Sequence, residues 1–379
     1  MDVKKVASPC FVLEETRLRH NLEIIARVQR ESGAQIILAF KGFAMWSAFP
    51  IVREYVGGAT ASSLHEVMLC NEEMGVKAHT YGVAYAPKEF TKILRLSSHV
   101  TFNSLSQWKR FGKKLLNFEE KVSPGIRVNP GWSPVGTALY NPAAPGSRLG
   151  EPVENFKAKF PEGIQGLHFH TLCESSSFDL ETTLVHFERQ FGAFLPKLKW
   201  VNFGGGHLMT RNGYDVNHLI QVLKGFKARH PHLQVILEPG SAFAWETGVL
   251  VATVLDIVKN KGIKTAILDV SFTAHMPDTL EMPYRPGIRG ANAETESGQH
   301  LYRLGGVSCL SGDFLEAYSF EQPLKVGEKI IFEDMIHYTM VKTSTFNGVT
   351  HPSIAILRAD GKLDVVRKFG YKDYKRRLS

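Results

Sequence analysis

The sequence lacks long apolar runs. No stretch of its 379 residues approaches the ~18 uninterrupted apolar residues of a membrane span, so no membrane partner is expected. Cysteine is scarce. Cys10, Cys70, Cys173 and Cys309 lie far apart and form no CxxC pair. That argues against a disulfide framework or a structural zinc site and fits a reducing cytoplasm. The segment Met1 to His20 is charged and has no apolar core of signal-peptide length, so export by that route is not expected. Internal repeats and low-complexity segments are also missing. The surplus of positive charge is modest, +8, and gathers at Lys372, Lys375, Arg376 and Arg377. It reads as a solvated basic tail, and no nucleic-acid motif accompanies it. With 44% hydrophobic and 22% charged residues, neither a disordered chain nor a coiled coil is expected.

What is present is an alternation. Short apolar strand candidates run at 36–40, 56–60, 79–83, 99–102, 125–128, 164–170, 200–203 and 235–237. Helical spacing separates most of them, as in Phe178, Leu184, Phe187, Phe191 and Leu195. Alternation of this kind implies a parallel sheet. Eight strands over about 210 residues favour a closed (β/α)8, TIM-like barrel over a doubly wound open sheet. After Pro239 the texture turns β-branched, at 249–258, 265–270, 304–309, 329–332 and 365–369. This predicts a second, β-rich domain, which the strand-like Ser8 to Leu13 could join. The expected division is a barrel over 14–245, and a β-sandwich or β-barrel-like domain over 1–13 and 246–379.

In a barrel, residues at the C-terminal strand ends face the active site. That rule selects Lys41, Arg127, Asn129, His168, His170, Gly204-Gly205-Gly206 and Glu238. Lys41 follows five apolar residues. A desolvated lysine loses its proton readily and becomes an amine nucleophile, although many lysines after strands are simply surface groups. The three glycines could cradle a phosphate or merely make a tight turn. His168 and His170 alternate, so both point to one face. They could stack on a flat ring or pack in the core. No third ligand cluster accompanies them, so no metal is expected. Glu238 could hold a protonated ring nitrogen or form an ordinary salt bridge. Cys309, near Asp313, is a reactive thiol or an inert buried one.

Together these residues resemble the pyridoxal-phosphate enzymes of the alanine-racemase and ornithine-decarboxylase fold (fold type III). Ser8 to Leu13 resembles the entry strand, Phe40-Lys41 the cofactor lysine, Gly204-Gly205-Gly206 the phosphate loop and Glu238-Pro239-Gly240 the EPG segment. Tyr338-Thr339 and Ser344 to Gly348 resemble the decarboxylase branch. Within it, His275-Met276-Pro277-Asp278, Leu280 to Pro286 and His170 to Glu174 are similar to the carboxynorspermidine (carboxyspermidine) decarboxylases. The general decarboxylases carry an arginine after EPG, a His-Val-Gly-Ser stretch and a Cys-Asp pair. Here Ser241, His170-Thr171-Leu172-Cys173 and Cys309-Leu310 stand in their places, which fits the narrower branch.

The resemblance implies pyridoxal 5'-phosphate as cofactor and release of norspermidine or spermidine in polyamine biosynthesis. It implies that Lys41 holds the cofactor covalently and that His170 stacks on its ring. Gly205, Gly206, Gly240 and Tyr338 would bind its phosphate. Glu238 would keep the ring nitrogen protonated, where racemases of this fold use arginine. Cys309 would return a proton to Cα, reaching the partner's site in a homodimer. The substrate carries about two extra positive charges at neutral pH, so local acids must receive it. Asp278 is the first candidate, with Glu281, Asp313 and Glu174 beside it. Rival readings are a diaminopimelate or other basic-amino-acid decarboxylase, with Arg285 gripping a distal carboxylate, and a non-catalytic cofactor-binding regulatory protein.

Overall fold

The computed structural model describes residues 6–137, 140–156, 160–293 and 300–379, so part of the Pro/Gly-rich stretch from Ser271 to His300 lies outside the described residues. The chain divides into two compact units, one of residues 21–243 and one of residues 1–20 with 244–379.

The 21–243 unit is a parallel sheet that returns on itself. Its order is Gln35–Ile36, Gln234–Leu237, Trp200–Asn202, Gly166–His168, Ser123–Arg127, Ser97–Phe102, Ala78–Gly82, Ala59–Ala61 and Leu38–Ala39. The first and last members are two pieces of one strand broken at Ile37. Ile37 N–H donates to Leu237 O (2.9 Å) and Leu38 N–H to Gly58 O (3.1 Å), so this strand pairs on both sides. The result is an eight-strand TIM-like barrel. Its strands are short and largely buried because helices cover one face and barrel side chains the other.

Helices Leu64–Leu69, Pro87–Leu96, Leu105–Leu116, Ser177–Phe191 and Val216–Arg229 connect strands. Their starts are written locally. Ser63, Ser104 and Asp215 cap first turns, and Ser176 forms a capping box with Asp179. Inside the barrel, the Trp200 indole lies against Gly125 and Gly166, and its Nε1–H donates to Ser123 Oγ (2.8 Å). A Cβ on Gly166 would come within 2.0 Å of that indole, which explains glycine there. His79 and His99 stack at 3.9 Å between ring centroids, and His99 meets Trp200 edge-on.

The other unit is a mixed sheet in the order Ala291–Asn292, Phe314–Phe320, His300–Gly305, Ile263–Leu268, Gly248–Asn260, Cys10–Glu14, Ser353–Leu357 and Leu363–Arg367, with Lys329–Glu333 also on Gly248–Asn260. The N-terminal strand completes it, antiparallel to Gly248–Asn260 and parallel to Ser353–Leu357. A register shift between Val254 and Asp256 lets the long strand serve two sets of partners. Val6, Cys10, Val12, Val249, Val251, Ile331 and Ala355 form a core. Among the described residues, no helix is long and apolar enough to cross a membrane.

Candidate active site at the mouth of the barrel

Three loops meet where the strands end. Lys41-Gly42 follows Leu38–Ala39, Gly204 to Gly206 follows Trp200–Asn202, and Glu238 to Gly240 follows Gln234–Leu237. Their backbones touch. Ala39 N–H donates to Pro239 O (3.0 Å) and Glu238 N–H to Gly204 O (2.8 Å). A Cβ on Gly42 would sit 2.7 Å from Gly240 Cα, and one on Gly205 2.6 Å from Glu238 O. Gly206 has φ +88°, and a Cβ there would meet Leu172 O at 2.2 Å. The glycines are thus required by close approach and by backbone conformation.

Lys41 is open to solvent, yet its amine is closely surrounded by protein atoms. Burial pushes its pKa down, and Glu238 opposes this only in part. Its Nζ lies 3.0 Å from His170 Nε2. On the other side of that ring, Gly205 N–H donates to His170 Nδ1 (2.8 Å). Burial, with Lys41 and Arg127 nearby, holds His170 well below its usual pKa, so the ring is neutral. A neutral imidazole carries one proton. Since Nδ1 accepts, the proton is on Nε2, and Lys41 Nζ must offer a lone pair. The geometry describes a free amine, the nucleophilic form.

Glu238 is 8% exposed and His168 1%. His168 Nε2 is 2.9 Å from Glu238 Oε1, and Asn202 Nδ2 donates to Oε2 (3.1 Å). Burial alone would raise the carboxyl pKa. His168, Lys41 and Asn202 outweigh it and hold it at about 2, so Glu238 is an anion. Arg127 braces the site: it donates to Tyr81 Oη (2.8 Å) and His170 O (2.9 Å), with its guanidinium over the Tyr81 ring. The strand-end rule had selected Arg127. It passed over Asn202, which the same rule would have found, and Tyr81, one residue inside its strand. Glu174 is exposed, with φ +47°.

The sheet unit holds the remaining candidates. Cys309 is exposed, and its N–H donates to Asn347 Oδ1 (2.9 Å). Asp313 is buried and both its oxygens are engaged: Oδ2 accepts from Ser308 N and Oγ, and Oδ1 from Thr273 N. Asp278 is also buried. Its Oδ2 accepts from Thr339 Oγ1 (2.7 Å) and Tyr284 Oη (3.1 Å), while Oδ1 has no hydrogen-bond partner among the described residues. Thr339 follows Tyr338, which has φ +35°. Glu281 pairs with Lys342. Arg285 donates to the carbonyls of Ala293, Glu316 and Ala317 and lies over the Tyr318 ring.

Comparison with known proteins agrees with this chemistry. A family model described as pyridoxal-dependent decarboxylase, C-terminal sheet domain, matches residues 10–336. A carboxyaminopropylagmatine decarboxylase of Synechocystis is 52% identical, over 99% of this chain and 96% of its own. A carboxynorspermidine/carboxyspermidine decarboxylase of Campylobacter jejuni is 43% identical, over 99% of both. The crystal structure of C. jejuni carboxynorspermidine decarboxylase complexed with norspermidine has a TM-score of 0.91 at 42% identity, covering 98% of this chain and 100% of that one. The barrel residues fit the cofactor of that family. They present a free amine, a neutral imidazole beside it, a buried anionic carboxylate and, at the same strand ends, glycine backbones that pack with no room for a side chain. This chain belongs to the pyridoxal-phosphate-dependent decarboxylases.

Proposed function

We propose that the protein decarboxylates carboxynorspermidine and carboxyspermidine, releasing norspermidine and spermidine in polyamine biosynthesis. The reading rests on likeness over the full length to enzymes of that name and to a structure holding norspermidine. Asp278 supports it, because among the described residues one buried carboxylate oxygen lacks a partner and would suit a substrate amine. Arg285 speaks against diaminopimelate, because three carbonyls already engage its guanidinium.

Pyridoxal phosphate, when bound, supplies a conjugated ring that takes up the electron pair left at Cα as CO2 departs. The chain's own residues do the rest. Lys41 offers the amine that holds the cofactor. Glu238, ionised, favours a proton on the ring nitrogen. His170 would lie against the ring, and Gly205, Gly206, Gly240 and Tyr338 would bind the phosphate. Cys309 carries the proton returned to Cα and serves the partner's site in a homodimer. Asp278 receives the amine tail. Glu174 and Asp313 are secondary candidates, and Asp313 also braces the Cys309 loop. The working division is 14–245 against 1–13 with 246–379, and the expected location is the cytoplasm.

A second reading has the agmatine-tailed analogue as substrate, as the name of the 52%-identical relative suggests. It shares the reacting head and ends in a guanidinium instead of an amine. Measuring kcat/KM for carboxynorspermidine, carboxyspermidine, carboxyaminopropylagmatine and diaminopimelate separates them. Diaminopimelate should be slower by a factor on the order of a hundred or more. Preference for the guanidinium tail would move the assignment to the second reading, and preference for diaminopimelate would overturn both.

A further inference from the structure

Glu238 does not stand alone at its strand end. In the barrel register His168 lies opposite Asn202, and Asn202 opposite Ile236, two residues before Glu238. Three adjacent strands thus deliver His168, Asn202 and Glu238 to one place. Asn202 Nδ2 donates to one carboxylate oxygen (3.1 Å), and His168 Nε2 stands at ion-pair distance, 2.9 Å, from the other. His168 is itself fixed, with its ring against the Tyr81 ring at 5.3 Å. Tyr81 Oη in turn donates to Asn103 Oδ1 (2.7 Å) and accepts from Arg127.

A carboxylate at 8% exposure stays charged only if its oxygens are satisfied. We propose that His168, helped by Asn202, is a positioning residue that keeps the Glu238 carboxylate anionic and aimed, and so governs how firmly the cofactor's ring nitrogen holds its proton. The inference rests on the reading that Glu238 faces that nitrogen. His168 touches Glu238 and acts through it. Without His168, the carboxylate becomes the stronger base and draws the shared proton toward itself. Lys41, His79 and His207 also act on Glu238 electrostatically, and Arg127 and Lys41 act on His168. A pH profile alone therefore mixes several groups, and a direct readout of the ring nitrogen is needed.

The test uses holoenzyme loaded with cofactor labelled with 15N in the ring. Wild type should show the resonance of a protonated nitrogen. His168→Phe should move it toward the unprotonated value, weaken cofactor binding to apoprotein, and lower kcat about tenfold to a hundredfold with KM changed less than about threefold. His168→Gln keeps a donor and should restore most of the wild-type resonance. If His168→Phe does not fold, His168→Asn, whose shorter side chain stays polar but falls short of the carboxylate, carries the same expectation. An unmoved resonance in the His168 variants, with a shift in Glu238→Gln, would overturn the positioning role and leave Glu238 in place. No shift in Glu238→Gln would overturn the reading of Glu238 and this proposal with it.

Discussion

Lys41 Nζ lies 3.0 Å from His170 Nε2, and Gly205 N–H holds the opposite nitrogen of the same ring at 2.8 Å. One backbone amide therefore fixes a tautomer, and the tautomer requires a lysine lone pair. The sequence signal for this was a lysine ending one strand, a histidine ending another and a glycine triplet ending a third.

Removing that imidazole N–H should raise the Lys41 pKa and slow cofactor loading. His170→Phe keeps a ring but loses Nε2–H. Loading of apoprotein, followed by the absorption band of the covalently held cofactor, should slow about tenfold near neutral pH and recover at higher pH. Lys41→Ala should give no such band. An unchanged pH dependence of loading in His170→Phe would contradict the tautomer argument.

The barrel floor makes a steric prediction. Gly166→Ala would place a Cβ 2.0 Å from the Trp200 ring. Overpacking of this kind costs about 1–3 kcal/mol. Thermal or denaturant unfolding should show that loss, and Trp200→Phe in the same chain should recover part of it. Full stability in Gly166→Ala alone would contradict the packing described.

Buried histidines make the barrel sensitive to acid. Burial lowers His79 to about 3, and His99 and His207 to about 4. Folded affinity for protons is thus below the unfolded value near 6.5. As pH falls through 6.5 the unfolded chain binds protons that the native one does not, so stability declines from 6.5 toward 4. The slope is at most about 1.4 kcal/mol per pH unit for each histidine. Denaturant midpoints at pH 7.5, 6 and 5 should fall in that order, and His99→Gln should flatten the trend. Equal midpoints would contradict it.

The two buried aspartates should separate. Asp278→Asn should raise KM for carboxynorspermidine on the order of tenfold to a hundredfold with stability little changed, as follows if the oxygen without a partner among the described residues receives the substrate amine. Asp313→Asn should mainly lower thermal stability, because its oxygens hold Ser308 and Thr273. The reverse pattern in steady-state kinetics and melting curves would exchange their roles.

The barrel was legible because short, largely buried strand segments alternate with helical spacing, and Lys41, His170 and Glu238 stand at or just beyond strand ends. The break at Ile37 was not legible, since it depends on pairing with two strands far apart in sequence. The strands Phe314–Phe320 and Ser353–Leu357 were missed for a like reason: their partners are non-local, and Cys10–Glu14 lies more than 300 residues from Ser353–Leu357. His168 was seen to share a face with His170, but its partner Glu238 is set by barrel register across two strands, which one sequence does not print. The acids near Arg285 looked alike in sequence. Only their hydrogen bonds distinguish Asp278 from Asp313.

The measurement closest to the central claim is CO2 release from carboxynorspermidine by cofactor-loaded wild type beside Lys41→Ala. The account predicts stoichiometric CO2 and norspermidine from wild type and none above background from Lys41→Ala. Absence of CO2 from wild type that carries the cofactor band, or equal release by the Lys41 variant, would contradict it.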